Sequence, residues 1–440
     1  MFIPLTLKSI ISALCVRWGS APDARKPNNN TRYRIVDALL AAFSVFFMQS
    51  RSFLAHQRLL HSKKGRSNAT SLFQITHIPS DPQIRNLLDR IPVKYFHTDF
   101  WTILDQAKAQ GLLSQFQSEL GTYLAAADGV THFSSTNISC PHCLKRMDNQ
   151  GKEHFYHSAI TPVLVNPDQK RVFPLPPEFI VPQDGHEKQD CERAAIKRWL
   201  AQHHTHFADY TITYLGDDLY ANQPLCSLIV DTYHQYFIFT CKEDSHVALY
   251  EWIATFEKTN TLSIQSVRHW NGKHGEIWRY RFVNQVPLRS GNDAIQVNWC
   301  ELVITHEKTG EILYKNAFVT NHTITMSNIA SIVRAGRTRW KIENENNNTL
   351  KNQGYHFEHN FGHGKQNLSN VLITLNLLAF LVHTVQELVS PAYQTLRQAL
   401  GARITFFEDL RALTRYLVFD SWEVLFCFML DGLEIPLHSP

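Results

Sequence analysis

The chain has 440 residues, more than one ordinary hydrophobic core holds, so two or three structural units are expected. Hydrophobic residues make up 44% and aromatic residues 12%, the composition of a globular rather than a disordered protein, and a formal net charge of +4 permits nucleic-acid contact without demanding it. Eight cysteines, mostly single, fit a reducing cytoplasm with thiols free or metal-bound; the longest apolar runs, "VDALLAAFSVFFM" and "NVLITLNLLAFLVHTV", fall short of the roughly 18–20 residues that span a bilayer, so no membrane partner is expected.

In chain order, residues 1–118 read as helical: "RYRIVDALLAAFSVFFMQSRSFLAHQRLL" has helical periodicity, and "IPSDPQIRNLLDRI" opens with Ser80 or Asp81 ahead of Pro82, an N-cap pattern. "GTYLAAAD" (121–128) is a short apolar strand ending in Asp128. "HFYHSAITPVLVN" (154–166) and "RVFPLPPEFI" (171–180) read as a second and a third strand around the turn "PDQK", and residues 188–204 form an amphipathic helix. "YTITYLGDD" (210–218) is a strand closing on two aspartates; a helix, the strand "YFIFTC" (236–241) and another helix follow. Residues 260–322 alternate as pure β, and helix resumes near 324.

Acids at the ends of the first and fourth strands converge if those strands are neighbours, about 4.8 Å apart, and a later helix packed on the sheet brings a third. Three carboxylates repel one another unless a divalent metal supplies the missing charge; hard oxygen ligands suit Mg²⁺ or Mn²⁺, and two ions about 3.5–4 Å apart promote in-line displacement at phosphorus. The third acid is read at Glu343 in "RWKIENENNNTLK", because Arg339 lies one turn earlier on the same face, with Asn346 and Asn347 extending a polar stripe. Glu345 is its rival, about 200° away round a regular helix. Asp217 follows its strand directly and is preferred to Asp218, which reads as a cap for the next helix.

With "AAADGVTHFSS", "YLGDDLYANQPLC" and "RWKIENENNNTLK", the sequence resembles the DDE transposases of bacterial insertion sequences, whose third acid lies in a Y-x2-R-x3-E-x6-K signature. The resemblance covers roughly residues 120–385. It implies an RNase H-like α/β fold, a mixed sheet with helices on both faces interrupted by an all-β insertion. The domains would be 1–118 (helical, DNA-binding), 119–257 and 323–385 (catalytic), 258–322 (insertion) and 386–440 (C-terminal helices). Asp128, Asp217 and Glu343 would be the catalytic metal ligands for two Mg²⁺ or Mn²⁺ ions. The partners would be double-stranded DNA, at the element's ends and at the target, and further copies of the chain in a dimer or larger assembly. Here the signature tyrosine position is Gly336, and lysine follows Glu343 at eight residues, Lys351, rather than seven.

Other residues carry expectations of their own. Arg339 and Lys351 would contact DNA; Trp278 would stack on an extruded base with Arg279 on phosphate; and Lys365 in the break "EHNFGHGKQNLSN" would hold a phosphate with exposed backbone amides, against a plain turn and helix cap. Cys140, Cys143, His154 and His157, as C-x2-C-x10-H-x2-H, offer structural Zn²⁺. Against it, histidines at i and i+3 on a strand point to opposite faces, and a β-turn followed by ordinary strand residues is the preferred reading. The function expected is metal-dependent cleavage and strand transfer of an insertion sequence's terminal repeats. The alternatives are a non-catalytic DNA-binding derivative and a metal-dependent nuclease that uses water alone.

Overall fold

The computed structural model describes residues 4–25, 33–182 and 191–436; Lys188, Gln189 and Asp190, expected to open a helix, lie outside them. The strands in chain order are β1 (Tyr123–Ala126), β2 (Gly129–Ser135), β3 (Leu144–Met147), β4 (Glu153–Ile160), β5 (Val163–Asn166), β6 (Gln169–Pro174), β7 (Glu178–Ile180), β8 (Ile212–Gly216), β9 (Tyr236–Thr240), β10 (Ser263–Trp270), β11 (Gly275–Pro287), β12 (Gln296–His306) and β13 (Ile312–Thr320). Nine of them form one mixed sheet in the order β10-β11-β12-β13-β9-β8-β1-β5-β6. Only β1 with β8 and β8 with β9 pair in parallel. These central strands are short and buried along most of their length, and so consist of near-continuous apolar residues such as "YLAA" and "YFIFT".

The stretch expected to be a single second strand, 154–166, divides at Thr161-Pro162. Its first part is β4, which pairs with β2, β3 and β7 in a separate four-stranded sheet, and its second part is β5 in the main sheet. The expected third strand, 171–180, divides likewise into β6 and β7. Proline lacks the N–H that would continue a ladder, so Pro162 and the Pro174–Pro177 region are where the chain changes sheets. The all-β stretch, β10 to β13, is continuous with the main sheet through β13 and β9, Phe318 lying opposite Thr240.

Helices before residue 118 and after 386 pack as one layer. Asn68 Nδ2 donates to the carbonyls of Thr414 and Leu417, both at 2.8 Å, and the Trp422 indole N–H donates to Leu72 O at 2.9 Å. At its centre run two apolar helices, Ile35–Phe47 and Leu368–Val389, joined by contacts such as Phe47 on His383, ring centres 4.5 Å apart. Leu368–Val389 is, among the described residues, the helix long and apolar enough to cross a membrane, and it is almost wholly buried within the protein. Glu387, near its end, accepts from Arg171 of β6 (3.1 Å) and Arg403 (2.8 Å), tying the layer to the sheet.

The start of this helix is held from outside. Asp89 takes the backbone N–H groups of Lys365, Gln366, Asn367 and Leu368 at 2.9–3.0 Å, the orphan donors that every helix N-terminus leaves. Burial works to raise the Asp89 carboxyl, but these four donors outweigh it and hold the group below the usual carboxylate range. The stability it contributes is present above the ordinary carboxylate pKa and lost as the pH falls through the folded value. Asp89→Ala should therefore lower the unfolding free energy at pH 7 by about 2 kcal/mol, with the deficit shrinking towards pH 3, as read from urea denaturation.

Candidate functional site

The parallel ladder of β1 and β8 sets Ala126 opposite Leu215, and Ala127 N–H reaches Leu215 O at 3.0 Å. Asp128 and Asp217 each come two residues later, so they leave adjacent strands at the same level. Asp217 Oδ1 accepts from Leu219 N–H at 2.9 Å, shaping the turn. Tyr220 folds back over Gly216, where a Cβ would lie 2.7 Å from the ring, so only glycine fits. Asp218 points elsewhere: it accepts from Lys242 N–H (2.6 Å) and sits 3.3 Å from His246, while the next helix, Gln223–Ser227, is capped by Asn222. The expected cap role for Asp218 is thus corrected.

The third acid arrives on a helical segment that crosses the sheet. At Gly336 the helix Ile329–Arg337 lies flush on β9 and β13; a Cβ there would be 2.9 Å from Ile238 and from the Phe318 ring. No side chain fits, least of all tyrosine. Farther on, Lys341 is buried, with its Nζ donating to the carbonyls of Asn166 (2.8 Å), Pro167 (3.0 Å) and Gln169 (2.6 Å) in the β5–β6 turn. The segment Ile342–Asn347 is a π-turn. Asn346 and Asn347 are buried; Asn346 Nδ2 donates to Thr161 Oγ1 (3.2 Å), Thr161 donates to Asn347 Oδ1 (3.2 Å), and Asn347 Nδ2 reaches Asp128 at 3.4 Å. Arg339 pairs with Glu343 at 2.7 Å. Glu345 acts on Lys341 instead, on the other side.

These placements bring Asp128, Asp217 and Glu343 together, with a fourth acid that sequence reasoning missed. Glu192, in the first turn of the helix Glu192–His203, accepts from Gly129 N–H (3.1 Å) and Tyr220 O–H (2.7 Å). Glycine at 129 makes room for it, since a Cβ would lie 2.4 Å from its carboxylate oxygen. An acid in the first turn of an amphipathic helix is too common a feature to flag a site. Burial pushes the Asp128 carboxyl up, Glu192, Glu343 and Asp217 push the same way, and Arg339 opposes them; the result is about 7. Burial also raises Glu192, with Asp217 adding to it, against the hydrogen bonds from Tyr220 and Gly129. Four carboxylates interact here around a single neighbouring guanidinium. This all-oxygen set is short of positive charge.

The other residues singled out from sequence fall in several places. Lys351 pairs with Glu358 at 2.7 Å. The π-turn takes up one extra residue, which brings Lys351, eight residues after Glu343, back towards the direction of the seventh in an unbroken helix. Trp278 and Arg279 are neighbours on β11 and so face opposite sides of the sheet. Trp278 is half-buried, donates to Glu276 at 2.8 Å, and lies under Arg337 at 5.2 Å in a groove of about 330 Å³ that neither Arg339 nor Glu343 lines; Arg279 is exposed. Lys365 sits at a cleft with Arg85 and Arg90, but the backbone amides expected to hold phosphate are taken by Asp89. Cys140, Cys143 and His157 converge, whereas His154 is turned to Asp148 at 2.9 Å, as strand alternation requires; the expected zinc set is corrected at that residue.

The raised Asp128 carboxyl has a consequence for stability. Its contribution is complete below the ordinary carboxylate range near pH 4 and lost as the pH rises through about 7. In buffer without added divalent ions, Asp128→Asn should melt above wild type at pH 8, by the equivalent of a few kcal/mol, and the gap should close towards pH 4 in scanning calorimetry. Comparison of the sequence with protein-family models and with curated proteins gives no match to either.

Proposed function

We propose that the chain is a metal-dependent phosphoryl-transfer enzyme acting on DNA, a transposase of the DDE type with an RNase H-like catalytic core. The observation that carries this reading is the crowding of Asp128, Asp217, Glu343 and Glu192 about a carboxyl whose pKa rises to about 7. Strand order supports it. Taken alone, β6-β5-β1-β8-β9 is a five-stranded sheet in which β1, β5 and β6 run antiparallel in series, β8 and β9 run parallel to β1, and Asp128 and Asp217 stand just past β1 and β8. The β10–β13 stretch then falls between the fifth strand and the helical segment bearing Glu343, where the resembled family carries its insertion.

Two divalent ions held by Asp128, Asp217 and Glu343 would supply the charge that activates a water or 3′-OH and stabilises the leaving oxygen. The chain's own groups set this up. Asn347 orients Asp128, Arg339 fixes Glu343 while leaving it half exposed, and Tyr220 with Gly129 holds Glu192 behind them. Lys351 is read as the counterpart of the lysine in the resembled family, with the π-helical segment taking up its offset. Recognition of element ends is assigned to the basic N-terminal helices, and pairing of two ends to a dimer or larger assembly.

The test uses purified protein, labelled DNA carrying the ends of its own element, and Mg²⁺ or Mn²⁺. Nicking at the ends and joining of the new 3′-OH to target DNA are expected; hydrolysis without joining would mark a nuclease, and binding without cleavage a non-catalytic derivative. Glu343→Gln should eliminate nicking while Glu345→Gln keeps most of it, and the reverse would sink the assignment of the third acid. Asp128→Asn should abolish cleavage with end binding close to wild type in a gel shift, and that binding should weaken steeply with salt.

A further inference from the structure

Cys140 and Cys143 sit on a tight turn closed by Cys143 N–H to Cys140 O at 3.1 Å, just before β3. His157 reaches them from β4 and His363 from the loop ahead of the helix Leu368–Val389, 220 residues after Cys143. One ligand atom from each lies within 4.8 Å of every other. The Sγ atoms are 3.8 Å apart, His157 Nε2 is 3.5 Å from Cys140 Sγ and 3.4 Å from Cys143 Sγ, and His363 Nε2 is 3.6 Å from Cys143 Sγ. For a tetrahedron with Zn–S of about 2.3 Å and Zn–N of about 2.05 Å, the edges are about 3.8 Å between sulfurs and about 3.6 Å between sulfur and nitrogen. The observed separations match both, and 3.8 Å is far beyond the roughly 2.05 Å of a disulfide bond.

We propose that Cys140, Cys143, His157 and His363 form a structural Zn²⁺ site. All four positions of the tetrahedron are protein ligands, which leaves none open for water, as in structural rather than catalytic zinc centres. The donors are borderline-soft sulfur and nitrogen, which sets this site apart from the hard oxygen cluster around Asp128. Cys143 and His157 are buried, and the Cys140 N–H points at Cys143 Sγ from 3.3 Å.

The position of the site gives it a purpose. The small sheet begins at Gly129, next to Asp128, and β4 ends at Ile160, next to the Thr161 that binds Asn346 and Asn347. His363 lies on the connection that follows the Glu343 segment. Zinc would thus cross-link the two stretches of chain that carry the first and third acids, closing a long loop that otherwise depends on packing.

Metal content of the purified full-length chain, prepared under reducing conditions with zinc present, tests this without DNA and independently of catalysis. One zinc per chain is expected, retained in His154→Asn and lost in His363→Asn. Reconstitution of the wild type with Co²⁺ should give the visible bands of a tetrahedral S₂N₂ site, absent in His363→Asn, and removal of the metal should lower the melting temperature. A wild-type chain that takes up no stoichiometric zinc and gives no tetrahedral cobalt spectrum would overturn the proposal. So would zinc retained in His363→Asn but lost in His154→Asn. Should His363→Asn not fold, the wild-type stoichiometry and cobalt spectrum decide alone.

Discussion

The in-register parallel pairing of β1 with β8 is the constraint on which the candidate site depends. Because both strands run the same way and Ala126 faces Leu215, the residues that follow them must emerge together at one edge of the sheet. Those residues are acids, so the fold itself brings like charges side by side in a half-buried place. Everything around them answers to that arrangement. Gly129 and Gly216 strip away side chains so that Glu192 and Tyr220 can close in, and Arg339 is the neighbouring cation that opposes the crowding. Such crowding raises the energy of the ionised form of Asp128.

The helical segment that brings Glu343 shows how polar residues can be chosen for position over helix propensity. Asparagine competes with the backbone for hydrogen bonds and weakens a helix. Here the run at 346–347 is buried and spends those side-chain bonds on Thr161 and Asp128, while Asn348 stays on the surface with Asn352. Lys341, whose burial depresses its pKa, saturates its three donors on one turn of the main sheet. These contacts fix the segment at both ends of its crossing. The wide π-turn lies between them, at the acid itself, as such turns often do at functional positions.

Much of this was legible in the sequence, and what was not shares one physical cause. The strand-end acids, the β-rich stretch and the face shared by Arg339 and Glu343 follow from local periodicity, which a sequence displays directly. Glu192 and His363 do not, because each joins its cluster through a contact dozens to hundreds of residues away, and nothing in their own surroundings marks them. The division of 154–166 between two sheets was missed although Pro162 stood in plain view, since an apolar run on both sides reads as one strand until the partners are known. Gly336 finds its reason only in the closeness of the helix to Ile238 and Phe318.

The continuity of β13 with β9 bears on what the β10–β13 stretch does for the sheet. An insert hung on two flexible tethers can be gained or lost without disturbing its host. The β10–β13 stretch instead shares the ladder of the central strands, Phe318, Val319 and Thr320 pairing with Thr240, Phe239 and Ile238. Excising it would turn β9 from an interior strand into an edge, with the main-chain donors and acceptors of a strongly apolar segment open to any other strand, a template for intermolecular association. The outer boundary is instead β10, where Ile264, Val267 and Trp270 are open to solvent beside Arg268 and His269. The β10–β13 strands thereby move the rim of the sheet away from its buried centre, to a strand that is exposed along most of its length.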